Sequence, residues 1–231
     1  MSLIYPKNLN SKNIIAFFTD RTFPITHESI RETSSLEHLY IPIQRHTDSV
    51  RVLESLDEIK NVTVSDAVVT GLKNVLLGIK TADCVPVLVG TKDGTVVGAV
   101  HAGWRGTSME ILKKTIATII NRFSVSADDI LIAIGPSIRA CCYEVGYDVV
   151  AKISLFADTA EYIYKTNDKL FVDLARANIA QAIQMEVPEE NIWDSKDCTC
   201  CQQHRFYSYR ASKTDRRQGA FIGIKPKAEA L

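Results

Sequence analysis

The sequence predicts a mixed α/β fold whose sheet contains strands of both senses. Three observations predict it. Short β-branched runs recur along the chain, three amphipathic helices are interleaved with them, and two of the runs are joined by a tight turn instead of a helical crossover. Of 231 residues, 46% are apolar and 23% charged, the mixture of an ordinary globular chain. An α/β domain reaches about 250 residues, and no repeat or low-complexity linker interrupts the chain. Residues 1–231 therefore read as one domain, with a frayed tail over 225–231.

The strand runs, in order, are Ile14–Phe18, Ala67–Thr70, Val75–Lys80, Val85–Val89, Thr95–Val100, Leu131–Ile134 and Ala220–Ile224. Several are apolar on both faces, as buried central strands must be. Lys92-Asp93-Gly94 is a turn signal, so Val85–Val89 and Thr95–Val100 are expected to form an antiparallel hairpin. Thr107-Ser108-Met109-Glu110 reads as a capping box ahead of a helix bearing Ile111, Leu112, Ile116, Ile119, Ile120 and Phe123 on one face. A second helix starts near Tyr147, with Val149, Val150, Ile153 and Phe156 at helical spacing. A third is capped by Asp173 and runs to about Met185, before Pro188.

Charge excludes some functions. The 27 basic and 27 acidic residues cancel, which argues against a broad nucleic-acid-binding face but leaves room for a local basic pocket. No apolar run approaches the roughly 20 residues of a membrane span, and the opening residues lack a signal pattern, so the cytoplasm is the expected compartment. Six cysteines are too few for a disulfide scaffold and are expected reduced. Five histidines are too few for an oxidase with several copper centres.

The most informative stretches are Thr81-Ala-Asp83-Cys84-Val-Pro and His101-Ala-Gly-Trp-Arg105-Gly. Cys84 and His101 are 17 positions apart with the turn midway, so the hairpin brings thiol and imidazole together. Such a pair is either a nucleophile with its base or two metal ligands. A buried Cys beside a His bonded to backbone is the commoner case. Here the small residues after His101, the anion-suited Arg105 and the helix start beyond it favour a ligand site. His46 in Gln-Arg-His would complete a His₂Cys set with one open coordination position. Cys198-Thr-Cys200-Cys201-Gln-Gln-His204 is read as incidental, with no second ligand pair to match it. Cys141-Cys142 are expected to pack in the core beside Tyr143. Gly135-Pro136-Ser137 reads equally as a turn or as a phosphate contact.

The ordered segments QRHTDSV, TADCVPVL, VGAVHAGWRG, IGPSIRACCYEVG, FVDLARANI, CT and FYSYR resemble the YfiH/YlmD family, over roughly Ile14 to Ile224. Its members have been called laccase-domain proteins or polyphenol oxidases, and more recently purine nucleoside phosphorylases. The resemblance implies a layered α/β/β/α sandwich and one zinc held by His46, Cys84 and His101, with copper as the alternative metal. It implies phosphorolysis of adenosine, inosine, guanosine and methylthioadenosine, and deamination of adenosine, so that the partners are a nucleoside and phosphate. In that chemistry Arg105 is the candidate for phosphate and Asp83 for carrying a proton. The family's TGRQ appears as Thr214-Asp-Arg216-Arg217-Gln218, and no role passes to Arg216. Two other classes compete. Cys84 could be a covalent nucleophile with His101 as base, in an amide hydrolase editing L-Ser-containing peptidoglycan precursors. A blue-copper protein would need a weak axial ligand, for which Met109 is the methionine to check.

Overall fold

The computed structural model describes residues 3–10, 13–154 and 162–226. In chain order the elements begin β1 (Leu3–Ile4), β2 (Ile14–Thr19), α1 (His27–Ser34), β3 (His38–Tyr40), β4 (Val50–Leu53), β5 (Ala67–Thr70) and β6 (Val75–Thr81). Next come β7 (Val85–Thr91), β8 (Val97–Ala102), α2 (Trp104–Ser108), α3 (Ile111–Phe123), β9 (Ile130–Ile134), β10 (Glu144–Val145) and α4 (Tyr147–Ile153). The chain continues through β11 (Ile163–Thr166), β12 (Lys169–Val172), α5 (Leu174–Gln184), β13 (Ile192–Asp194), α6 (Tyr209–Ser212) and β14 (Gln218–Ile224).

Two large sheets face each other. One has the order β1-β2-β14-β6-β3, the other β13-β9-β7-β8-β5-β4, and a small third sheet runs β10-β12-β11. In the large sheets, β3 with β6, β4 with β5 and β13 with β9 pair parallel, and the other neighbours pair antiparallel. Apolar side chains fill three gaps. Phe18, Leu77 and Ile222 of the first sheet meet Val68, Leu88 and Val97 of the second. Val69, Val87 and Val100 on the second sheet's far face meet Leu112, Ile116 and Ile119 of α3 and Ala177 of α5. Ile30 of α1 covers Phe17, Leu76 and Phe221 on the first sheet's far face. The result is the expected α/β/β/α sandwich. It also explains strands that are apolar throughout: β7 sends Val85, Val87 and Val89 to the helices and Leu88 to the opposite sheet.

All seven expected strands are present, most longer by a residue or two. The hairpin forms, with Val85 opposite Ala102 and Pro86 opposite His101. Its turn needs Gly94, whose φ is +70°, and uses the Asp93 carboxylate to accept from the Thr95 N–H at 3.1 Å and the Thr91 hydroxyl at 2.6 Å. Asp173 caps α5 through the Arg176 N–H, as the sequence implies.

The capping box is not formed. The chain becomes helical sooner, at Trp104, and Glu110 (φ +60°) separates α2 from α3. Thr107 is drawn into the interior instead, where its hydroxyl accepts from Asn178 Nδ2 at 3.0 Å and its carbonyl from Gln181 Nε2 at 2.8 Å, both on α5. At the start of the expected tail, the Lys225 N–H bonds to the Asn13 carbonyl at 2.7 Å. Phe156 and residues 227–231 lie outside the described residues. No helix of the described residues is long and apolar enough to cross a membrane.

Candidate metal centre and pocket

The hairpin's open end carries the site. Along β8, Val97, Ala99 and His101 share one face, the face turned toward the opposite sheet. Cys84 precedes β7 by one residue and shares parity with Pro86, the partner of His101, so thiol and imidazole are diagonal neighbours on that face and not directly opposed. His46 comes from the loop between β3 and β4. Its φ of +59° is in the left-handed region, and its Nε2 lies 3.7 Å from Cys84 Sγ. The His46 and His101 rings meet edge-on with centroids 4.8 Å apart. Ligand atoms of His46, Cys84 and His101 all lie within 4.8 Å of one another.

One residue that the sequence does not single out organises this trio. Asp66, fully buried just before β5, accepts at Oδ1 from the His46 N–H (3.0 Å) and pairs with His101 Nδ1 (2.7 Å). Its Oδ2 accepts from the Arg45 N–H (3.1 Å), the Thr47 N–H (2.7 Å) and the Thr47 hydroxyl (2.8 Å). Gln44 fixes the same loop from the other side, donating to the Lys80 carbonyl at 2.8 Å and accepting from the Lys80 N–H at 2.9 Å. The one-letter signal for Asp66 is an acid placed directly before an apolar strand, which is weak.

Asp66 fixes the chemistry of His101. With Nδ1–H donated to the carboxylate, Nε2 is left as the free donor atom, the arrangement seen in metal-ligating histidines. Burial opposes ionisation of Asp66, but bonds from His101 and Thr47 hold its carboxyl well below the usual carboxylate range. Burial likewise opposes a thiolate at Cys84, yet the charge and hydrogen bond of His101, with His46, lower it to about 6. His101 is raised to about 9 against its burial by Cys84 and Asp66. Without a cation the site is thus a thiolate–imidazolium pair; a divalent ion would take the place of the proton. The residues fit such an ion. Two imidazoles and a thiolate are the donor types of a catalytic zinc site, and Gly103 leaves the room. A Cβ there would lie 2.9 Å from His46 Cδ2 and 3.0 Å from Cys84 Sγ.

A cavity of about 550 Å³ opens over the trio. Its lining includes five cations, Lys80, Arg105, Arg210, Lys213 and Arg217, against a single carboxylate, Asp83. In a chain of zero net charge this is the local basic pocket that composition left open. None of the five is in a salt bridge with a carboxylate among the described residues. Arg105 instead lies 4.4 Å over the Trp104 ring. Arg210 stacks 5.0 Å from the Tyr143 ring centre and donates to the carbonyls of Cys142 (3.2 Å) and Glu144 (3.0 Å). Tyr143 and Tyr209 add flat aromatic surface, and burial pushes the Tyr143 phenol up to about 12. Tyr209 and Arg210 lie in the quoted FYSYR segment, but nothing in its spacing marks them as pocket residues.

The remaining candidates fall as follows. Asp83 lines the cavity with φ +90° and both carboxylate oxygens engaged, one by the Thr199 hydroxyl (2.7 Å) and one by the Arg210 N–H (2.6 Å). Gly135-Pro136-Ser137 is a buried connection outside the cavity lining, bridged to Cys198. Met109 is not among the lining residues either. Cys141 and Cys142 do not pack in the core: Cys141 is exposed and Cys142 half-buried, because the turn that starts at Arg139 swings them toward Cys201. Their sulfurs form a second potential metal-binding group with Cys198 and Cys201.

A layered α/β/β/α sandwich with a His/Cys/His group at the open end of its sheets defines a class of small-molecule pocket proteins with metal-ligand chemistry. Within that class, the chain belongs to the multi-copper polyphenol oxidoreductase laccase family, whose model matches residues 25–225. It is 37% identical over 187 residues to a purine nucleoside phosphorylase of Aquifex aeolicus, covering 81% of this chain and 83% of that protein. It is 38% identical over 183 residues to a purine nucleoside phosphorylase of Clostridium acetobutylicum, covering 78% and 74%. Adenosine deaminase RL5, from an unknown prokaryotic organism, is 34% identical over 185 residues, covering 76% and 70%. The crystal structure of YlmD from Geobacillus stearothermophilus superposes with a TM-score of 0.84 at 25% identity, covering 95% of this chain and 94% of that one.

Proposed function

We propose that the chain is a zinc-dependent enzyme of purine nucleosides, a phosphorylase that also deaminates adenosine. The observation that carries this reading is a cavity where the His46/Cys84/His101 donors, unpaired cations and aromatic rings converge. The names of the relatives agree with it.

In phosphorolysis a phosphate oxygen bonds to ribose C1′ as the C1′–N9 bond breaks, giving free purine and ribose 1-phosphate. Arg105 offers the phosphate a planar fork of N–H donors, with Lys80, Lys213 and Arg217 adding charge around it. Tyr143 and Tyr209 flank the base, and the neutral Tyr143 phenol can hydrogen-bond it. In deamination water adds at C6 and ammonia leaves, giving inosine. His46, Cys84 and His101 would hold zinc, whose chemistry there is Lewis acidity that makes water acidic near pH 7. Asp66 keeps His101 in the tautomer that can ligate. Asp83, with both oxygens engaged, is better cast as the brace of the Cys84 loop than as a proton carrier.

The test is product analysis on the zinc-loaded protein. Adenosine with phosphate should give adenine and ribose 1-phosphate, adenosine without phosphate should give inosine, and a chelator should stop both. Failure of both reactions in zinc-replete protein refutes the proposal.

A second reading makes Cys84 a nucleophile, His101 its base and Asp66 the group that orients the base, as in a Cys/His amide hydrolase. The lowered Cys84 thiol supports it. It predicts rapid alkylation of Cys84 in the active form and turnover of a seryl amide of a muramic acid nucleotide, with adenosine untouched. A ligated thiolate would be blunted toward alkylation.

A further inference from the structure

Outside the pocket, two turns bring four thiols together. Cys141 and Cys142 follow a turn closed by the Cys142 and Tyr143 N–H groups on the Arg139 carbonyl, at 2.9 and 3.0 Å. Cys198 and Cys201 flank a turn closed by the Gln202 N–H on the Cys198 carbonyl at 3.0 Å. The two turns are joined by the Ser137–Cys198 bridge, in which the Thr199 N–H donates to the Ser137 carbonyl at 3.0 Å. Cys201 Sγ lies 3.3 Å from both Cys141 Sγ and Cys142 Sγ, and all four sulfurs are within 4.8 Å of one another. All are free thiols.

We propose that Cys141, Cys142, Cys198 and Cys201 form a structural site for one tetrahedral zinc ion, separate from the pocket. Zn–S bonds of about 2.3 Å set the four sulfurs of a tetrahedron roughly 3.8 Å apart, inside the range seen here. A four-iron cluster, which carries each thiolate on a different metal, needs wider spacing. The chain pattern is an adjacent pair plus a C-x₂-C pair, the two separated pairs that structural zinc uses. The backbone N–H groups of Arg139 and Cys201 bond to the Cys198 sulfur, a partner for a thiolate that needs no extra charge. Cys200 lies beside Cys142 but is not one of the four mutually close sulfurs, and in one-letter form it interrupts the pattern and hides it.

The site would brace a wall of the pocket. The first turn carries Tyr143, and the Cys142 carbonyl receives Arg210. The second carries Thr199, which holds Asp83 beside Cys84.

The experiment measures zinc per chain, by elemental analysis and native mass spectrometry, in full-length protein purified under reducing conditions. Wild type should hold two. Cys201→Ser and Cys141→Ser should each hold one, and Cys200→Ser should hold two. Cys84→Ala should also fall to one while keeping, on cobalt substitution, the intense thiolate-to-metal absorption of a four-sulfur site. That cobalt spectrum decides the matter if Cys201→Ser does not fold. Wild type with one zinc that vanishes in Cys84→Ala overturns the proposal, as does a disulfide linking Cys201 to Cys141 or Cys142 in the reduced preparation. One zinc in wild type that stays in Cys84→Ala and is lost in Cys201→Ser would refute the pocket's metal and leave this site standing.

Discussion

Replacing Asp66 by Asn tests the pocket at its organising residue. The carboxylate takes five hydrogen bonds, three on Oδ2 from Arg45 and Thr47 and two on Oδ1 from His46 and His101. Asn has one accepting oxygen. Placed at the Oδ2 position it satisfies the three donors there, and its NH₂ then faces both the His46 N–H, whose bond is lost at a cost of about 1–3 kcal/mol, and His101 Nδ1. The His101 nitrogen must become the acceptor, so the ring proton moves to Nε2, the atom that would ligate. Loss of such an orienting carboxylate weakens metal binding by about 10- to 100-fold, or roughly 1.4–2.7 kcal/mol. Asn should therefore fold, bind zinc about 10- to 100-fold more weakly and lose activity in proportion. Asp66→Ala is the harsher variant, since each stranded buried donor costs about 1–3 kcal/mol against a total stability of about 5–15 kcal/mol. Zinc affinity is read by competition with a chromogenic chelator and folding by circular dichroism. A folded Asn variant with wild-type zinc affinity would refute the tautomer argument.

Three further predictions concern the same pocket. Because His101 is raised to about 9 and Cys84 lowered to about 6, zinc binding between those values must expel the His101 proton. The logarithm of the zinc affinity should rise by about one per pH unit there, more steeply below pH 6 and hardly at all above pH 9; a chelator competition series that is flat across neutral pH refutes this. Gly103→Ala, at a position of ordinary φ (−71°), adds only a methyl against His46 and Cys84, so zinc affinity should drop at least tenfold with little change in the melting temperature of the metal-free protein. Arg105→Lys should raise the KM for phosphate and slow phosphorolysis more than deamination, because an ammonium lacks the fork; equal loss of both would assign Arg105 to bracing Trp104.

The legible parts of this molecule are those governed by local pattern. Strands buried on two faces announce themselves as uninterrupted Val/Ile/Leu runs, and Asp93-Gly94 fixes the hairpin that carries Cys84 and His101. Contacts set by tertiary packing were not legible. Thr107 through Glu110 has the form of a capping box, but burial of Thr107 against Asn178 and Gln181 outweighs that local preference. Asp66 is 20 residues from His46 and 35 from His101, and no spacing rule links them. The pocket cations come from three separate stretches of a neutral chain, around positions 80, 105 and 210–217, so composition averages them away. The cysteines are visible as residues but not as a group, because Cys141-Cys142 and Cys198/Cys201 become neighbours only when Ser137 pairs with Cys198.

Two buried aspartates divide the construction of the site between them. Asp66 gathers the Arg45–Thr47 loop and His101, fixing the histidines relative to each other from the β5 and β8 side. Asp83 gathers Thr199 and the Arg210 backbone, and its own carbonyl accepts from the Ile138 N–H at 2.9 Å. It thereby ties the Cys84 loop to the segments that supply Tyr143 and Arg210. Cys84 lies between the two systems and is the point where they meet. Loosening the Asp83 side should therefore leave the His46–His101 geometry intact while displacing the thiol and the cationic wall together. Thr199→Val, which removes one donor and keeps the side-chain shape, isolates that effect. It should weaken substrate binding more than zinc binding, whereas Asp66→Asn should do the reverse. Kinetics and chelator competition on the two variants separate the outcomes, and an identical pattern in both would show that the walls are not independent.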